Sequence, residues 1–397
     1  MTKHGPSKRT FERNKHHIQH LCIQSSVHER PLSTRTSPIK AIRGVTANQT
    51  LITLNLLGIC IGDDGAVALS EALKNITTLT ALDLRDNWIT PYRAVVLFNA
   101  LKTNSTLAIL SLWHNKIEDG GTVALSEALK VNSTLTTLIL QRTSVGPDGA
   151  AALSEALKTN STLATLDLKY NSVGRDGAAA LSEALKINST LTTLDLSYNS
   201  IGDNGAVALS DALKINTALT TLNLQCNWIR DNAAVALSEA LTTNSTLTIL
   251  NLNNNKIGDN GAVALFEALK TNSTLATLDL LSNSVGDNGA AALSEALKTN
   301  STLTTLNLQG NVIGPKGAVA LSEALKANST LTTLNLGRNA VGNDGVVALC
   351  GVLKNNSTLT TFNLDNNLIG DIGAVVLSEA SKKYPAVVTI GVRLHHS

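Results

Sequence analysis

Asparagine occupies Asn87, Asn115, Asn171, Asn199, Asn227, Asn255, Asn283, Asn311, Asn339 and Asn367, all on one 28-residue grid. Two grid points depart from it, Ile59 and Thr143. Around the grid runs the frame LxxLxLxxNxIGDxGAxALSEALKxNST, giving twelve units from Leu51 onward. Self-similarity at this period marks a stacked repeat, because one such unit cannot bury its own apolar side and needs neighbours on both flanks.

Each unit reads as strand, turn and helix. In LTTLDLSYN (191–199), Leu194 and Leu196 point one way and Thr193, Asp195 and Ser197 the other, the pattern of a short half-buried strand. The turn SIGDNG (200–205) places Asp203 or Asn204 to cap the helix that follows. Ala206, Leu209 and Leu213 then fall at i, i+3 and i+7, an amphipathic helix. Strands pair about 4.8 Å apart while helices need about 8–10 Å, so each repeat turns the stack by roughly 20–25°. The expected fold is an α/β solenoid shaped as a horseshoe: a parallel sheet on the concave face, helices on the convex face, twelve repeats and a terminal strand. The grid asparagine points into the bend, where its amide can satisfy backbone groups of adjacent turns.

The ends differ from the middle. Residues 1–50 carry nine Lys/Arg and two Asp/Glu, a charge of +7, whereas the rest carries 23 and 28, a charge of −5. Residues 1–47 read as a basic arm or partial cap, 48–394 as the solenoid with 387–392 as its closing strand, and 395–397 as a tail. FERNKHHIQHLCIQ (11–24) either forms a short helix with Phe11, Ile18 and Leu21 on one side or stays unstructured. Such an arm can attract nucleic acid or an anionic membrane, but its simplest role is as a solvated segment. Cys22, Cys60, Cys226 and Cys350 show no metal or disulfide spacing. No apolar run approaches 18 residues, and no apolar h-region follows the basic start, so a cytoplasmic protein is expected.

LxxLxLxxNxI followed by a helix at this period resembles the ribonuclease-inhibitor type of leucine-rich repeat. The wording GDxGAxALSEALKxNSTLTTLxL is similar to the repeat segments of NOD-like receptors, over about residues 48–394. The resemblance implies a protein-binding scaffold, in immune-type or regulatory signalling. The chain has no GxxxxGK[ST] motif, and its four cysteines and uniform repeat length depart from ribonuclease inhibitor. Ran-type GTPase activators share this class of repeat. That likeness implies a second function, with Arg85 or Arg142 as the arginine at a strand–helix loop.

No catalytic motif appears, and no cofactor or small-molecule substrate is expected. The N-x-[ST] sequons (Asn104, Asn132, Asn160, Asn188, Asn244, Asn272, Asn300 and Asn328) read as turn chemistry, with asparagine in a left-handed position after the helix. His16, His17 and His20 make a poor metal cluster. Glu183 and Lys186 read as a solvated ion pair. Function therefore falls on the positions the frame leaves free, the two before the grid residue. Large side chains collect there in repeats two to six: Arg85, Asp86, Trp113, His114, Arg142, Tyr170 and Tyr198. Tryptophan, tyrosine and arginine dominate binding hot spots, so these seven form the expected protein-binding surface. Trp88 and Trp228, directly after the grid residue, either line its rim or fill gaps at the turn.

Overall fold

The computed structural model describes residues 20–22, 50–384 and 388–389. The rest of the basic arm, including Phe11, His16, His17 and Ile18, lies outside the described residues, as do 390–397. The chain divides into two compact units, residues 1–173 with 183–193, and residues 174–182 with 194–397.

The first unit runs β1 (His20–Cys22), β2 (Thr53–Asn55), α1 (Gly62–Asn75), β3 (Ala81–Asp83), α2 (Pro91–Leu101), β4 (Ile109–Ser111), α3 (Glu118–Leu129), β5 (Thr137–Ile139), α4 (Pro147–Leu157) and β6 (Thr165–Asp167). α5 (Gly174–Leu185) and β7 (Thr193–Asp195) span the division. The second unit continues with α6 (Gly202–Leu213), β8 (Thr221–Asn223), α7 (Asp231–Thr243), β9 (Ile249–Asn251), α8 (Asp259–Leu269), β10 (Thr277–Asp279) and α9 (Asp287–Leu297). It ends with β11 (Thr305–Asn307), α10 (Pro315–Leu325), β12 (Thr333–Asn335), α11 (Gly342–Val352), β13 (Thr361–Asn363), α12 (Asp371–Lys383) and β14 (Val388–Thr389). Each unit is an α/β solenoid of parallel strands backed by helices.

Register follows the leucines. In the first unit Leu54, Leu82, Leu110, Leu138 and Leu166 lie side by side on successive strands, each at most 1% exposed. Burying a leucine contributes about 1.5–3 kcal/mol, so a one-residue slip would cost a whole row. The helices present small residues to one another. A Cβ on Gly149 of α4 would meet Asp119 Oδ1 at 2.5 Å and Thr122 Cβ at 3.1 Å, which is why the frame keeps glycine there.

The grid asparagines act as expected. Asn115 Nδ2 donates to Leu84 O (2.9 Å) and Leu112 O (2.8 Å), and its Oδ1 accepts Asn87 N (3.2 Å) and Ile89 N (2.8 Å). One side chain thus satisfies four backbone groups of two adjacent turns.

Three expectations are corrected. The turn aspartate does not cap its own helix. Asp203 Oδ1 accepts Arg230 N (2.7 Å), at the start of the next helix, and α6 has no side-chain cap bond of its own. The sequon asparagines are not left-handed turn residues. Asn244 is extended (φ −72°, ψ 128°), and these side chains form a second buried ladder. Asn132, for example, donates to Leu101 O (2.7 Å) and Asn104 O (3.1 Å) and accepts Thr134 N (3.1 Å) and Leu135 N (2.9 Å). Residues 20–22 form a strand rather than a helix, with Leu21 opposite Leu54.

At the other end Val388 and Thr389 pair with Phe362 and Asn363; residues 387 and 390–392 of the expected closing strand lie outside the described residues. No helix among the described residues is long and apolar enough to cross a membrane.

Candidate functional site

The row before the grid residue is not conformationally free. All twelve of its residues are left-handed, from φ +52° at Arg142 and Arg338 to +68° at Gly310. The strand ends there and the chain must turn sharply toward the helix. Glycine, asparagine and aspartate take this conformation readily, whereas other residues cost about 1–2 kcal/mol each. Asp86 fits the turn; His114, Arg142, Tyr170 and Tyr198 occupy it at that cost.

Six of the seven expected residues lie in the first unit, where they form three local groups. Arg85 forks onto Asp83, with Nε 2.9 Å from both carboxylate oxygens and an outer nitrogen 2.6 Å from Oδ2. That hydrogen bonding raises the Arg85 pKa above its ordinary value. His114 Nδ1 lies 2.9 Å from Asp86 Oδ1, and the Trp113 and His114 rings are 5.8 Å apart. Arg142 lies over the Tyr170 ring at 4.6 Å, with Lys169 Nζ at 5.3 Å from the same ring. Tyr198 belongs to the second unit, where its hydroxyl accepts Gln225 Nε2 at 3.3 Å.

Arg85 and Trp113 border a hollow of about 600 Å³ on the exposed side of β2–β6. Parallel register sets Ala81 beside Ile109, and Asp83, Ser111, Ile139 and Asp167 in one row across four strands. The hollow therefore has an apolar floor of Ala81, Ile109 and Ile139, with Trp113 on one wall and Asp83, Arg85 and Asp167 around it. Ile109 is 43% exposed, and the Trp113 indole nitrogen is buried without a hydrogen-bond partner.

Trp88 and Trp228 fill no gap at the turn; they occupy the row directly after the grid residue, the rim row. Each is 57% exposed and left-handed, at φ +54° and +61°. Lys116 Nζ lies 5.8 Å from the Trp88 ring and Lys256 Nζ 4.2 Å from that of Trp228. An exposed cation–π contact contributes about 0.5–1 kcal/mol, less than the roughly 1–2 kcal/mol such a backbone costs a bulky residue.

A family model described as the NLRC3 LRR domain matches residues 33–391. The chain belongs to the NLRC3 leucine-rich-repeat family. Its fold is similar to that of an internalin (inlF) from Listeria monocytogenes, at 22% identity over 88% of this chain and 97% of that one, TM-score 0.52. It is also similar to a chain of the yeast Rad7–Elc1 complex, at 17% identity over 89% of this chain and 77% of that one, TM-score 0.51. A structure of leiomodin-1 actin-binding site 2 shares 26% identity over 39% of this chain and 88% of that one, TM-score 0.33. No curated protein matches the chain.

Against this leucine-rich-repeat frame, the hollow is built by residues that counting back from the grid asparagine misses. Most strands read Thr-Leu-Asp or Thr-Leu-Asn, but β4 reads Ile-Leu-Ser and β5 Thr-Leu-Ile. Comparing the outward strand positions repeat by repeat would have found Ile109 and Ile139. In the second unit Ile249 repeats the first of these departures, at 40% exposure, with Asn253 where the first unit has Trp113.

Proposed function

We propose that the chain is a non-enzymatic cytoplasmic scaffold that binds another protein on the exposed face of its sheet, the face the repeat geometry makes concave. The partner's apolar side chain enters the hollow over Ala81, Ile109 and Ile139, against Trp113. The polar pairs at its edge, Asp83–Arg85 and Asp86–His114, set charge complementarity, and Arg142 with Tyr170 extends the surface. Tyr198 adds a further contact on the second unit. A rigid sheet loses little entropy on binding. Resemblance to NOD-like receptor repeats points to a signalling partner, and the Rad7 structure, itself of a complex with Elc1, is one case of a chain of this fold associated with another protein.

The observation that carries this reading is the replacement of the frame's polar strand residues by Ile109 and Ile139. The core does not use either side chain. The test returns them to the frame: Ile109→Thr with Ile139→Asn should fold as the parent does and weaken partner capture from the native cell by about tenfold or more, the loss typical of a hot spot. Trp113→Ala should do the same. Capture unchanged in both variants would sink the proposal. Ran-type GTPase activation gains no support, because Arg85 is forked onto Asp83 and Arg142 is stacked on Tyr170.

A further inference from the structure

Trp88 and Trp228 stand 140 residues apart, five repeats, and occupy the same place in the frame. The correspondence extends further: Ile109 matches Ile249 and Lys116 matches Lys256 at the same interval. Lysine occupies the rim row, directly after the grid position, only at these two points. Each follows a tryptophan by one repeat and reaches over its ring.

These two lysines differ from those on the helices. Lys130, Lys158, Lys186, Lys270, Lys298 and Lys326 each pair with a glutamate three residues earlier. Lys116 and Lys256 have no carboxylate partner among the described residues, and both are exposed. Each unit therefore presents an exposed indole with an ammonium group over its ring, and that group has no paired carboxylate among the described residues. The contact does not recover what the left-handed tryptophan backbone costs, so stability does not account for the pair. Cys60, Ser144 and Ser200 take the same left-handed turn in this row, so the conformation belongs to the frame; what is particular to Trp88 and Trp228 is a bulky, exposed ring under a lysine. Beside Trp228 a hollow of about 380 Å³, lined by Tyr198, Ser200, Cys226, Asn254 and Lys256, has room for a side chain.

We propose that these pairs are two copies of a peptide clamp, one on each unit, that takes an aromatic residue followed by a carboxylate. The ring stacks on the indole, and the carboxylate receives a charge-assisted hydrogen bond from the lysine. At the first copy a single carboxylate suits the surroundings better than a polyanion, because Asp86 and Glu118 stand two residues from Trp88 and Lys116; the second copy has Cys226 and Gly258 there. This surface is separate from the hollow over Ile109 and Ile139.

The chain has three tryptophans, so ¹⁵N-indole spectra of the full protein hold three signals, assigned with Trp88→Phe and Trp228→Phe. The probe is the capped hexapeptide Gly-Ser-Phe-Glu-Gly-Ser. It should shift the Trp88 and Trp228 signals to saturation and leave Trp113 in place. The same peptide with Gln for Glu should bind about fivefold more weakly or worse. Lys116→Gln should abolish only the Trp88 shift and Lys256→Gln only that of Trp228, with the unmoved Trp113 signal reporting an intact fold. Equal shifts with the Gln peptide, no shift at either rim tryptophan, or shifts with a short oligothymidylate alone would each overturn the clamp. A shift at Trp113 alone would overturn the clamp while supporting the sheet-face site.

Discussion

Asp119, in the first turn of α3, accepts the backbone N–H of Gly146 at 2.6 Å through Oδ1. The same oxygen accepts Gly149 N at 3.0 Å, so one carboxylate caps the helix of the following repeat. The arrangement recurs at Asp259 with Gly286 and Gly289, and at Asp287 with Gly314 and Gly317. A cap formed between units ties neighbours together, which a cap within one helix cannot do.

Asp119→Ala should cost about 1 kcal/mol, within the usual range for a lost N-cap. Asp119→Asn should cost less, because Asn343 Oδ1 already performs this task for Gly370 (2.9 Å) and Gly373 (3.1 Å). Amide exchange at Gly146 and Gly149 reads the effect locally. Protection unchanged in the alanine variant would show that the contact contributes nothing.

Thr143 interrupts the grid ladder. Its hydroxyl donates to Leu140 O at 2.5 Å, but it has no carboxamide oxygen to receive the amides of Asn115 and Ile117. Three repeats further along, Asn227 Oδ1 does receive the equivalent pair, Asn199 N at 3.0 Å and Ile201 N at 3.3 Å. Thr143→Asn should therefore stabilise the chain by about 1 kcal/mol, the usual gain from returning a repeat position to its frame. Thermal unfolding of the variant beside the parent checks this, and a lower midpoint would mean the site cannot accept the amide.

The period, the strand–turn–helix order and the grid-asparagine ladder were legible in the sequence, because each is a local pattern copied many times. What required coordinates were relations between copies. The same letters in GDNG fit a cap on their own helix or on the next, and only the approach of Asp203 to Arg230 decides between them. The sequon asparagines follow a helix, where a left-handed turn is common, yet the neighbouring repeat offers them carbonyls and they stay extended. The candidate surface was half visible. Arg85 and Trp113 stand out by size, whereas Ile109 and Ile139 hide among leucine-rich strands until their faces are known.

His114 separates fold from function. Its backbone is left-handed at φ +57°, and its ring meets Asp86 in a half-exposed pair. His114→Gly relieves about 1–2 kcal/mol of backbone strain and gives up about 0–1 kcal/mol of surface pairing, so stability should hold or rise slightly. His114→Ala gives up the pairing without relieving the strain and should be the less stable of the two. Partner capture should weaken in both. A glycine variant that binds as the parent does would remove His114 from the binding surface, and one that unfolds earlier would contradict the strain argument.

Asp279 places a carboxyl where its neighbours have amides. In register it stands between Asn251 and Asn307, and its Oδ1 accepts Leu281 N at 2.9 Å. Burial raises its pKa, and the hydrogen bonds from Leu281 and Asn307 only partly oppose this. A carboxyl with a raised folded pKa holds its proton longer in the folded chain than in the unfolded one. Stability then falls as pH rises through the window above the unfolded value of about 3.9. Asp279→Asn removes that titration while keeping an acceptor for Leu281 N. The variant should gain on the parent as pH rises from about 3.5 to 7, with the difference smallest at the acid end. Denaturation midpoints of both proteins across that range isolate this residue, since every other carboxyl is common to them. A difference that stays constant with pH would mean that Asp279 is no more protonated in the fold than in the unfolded chain.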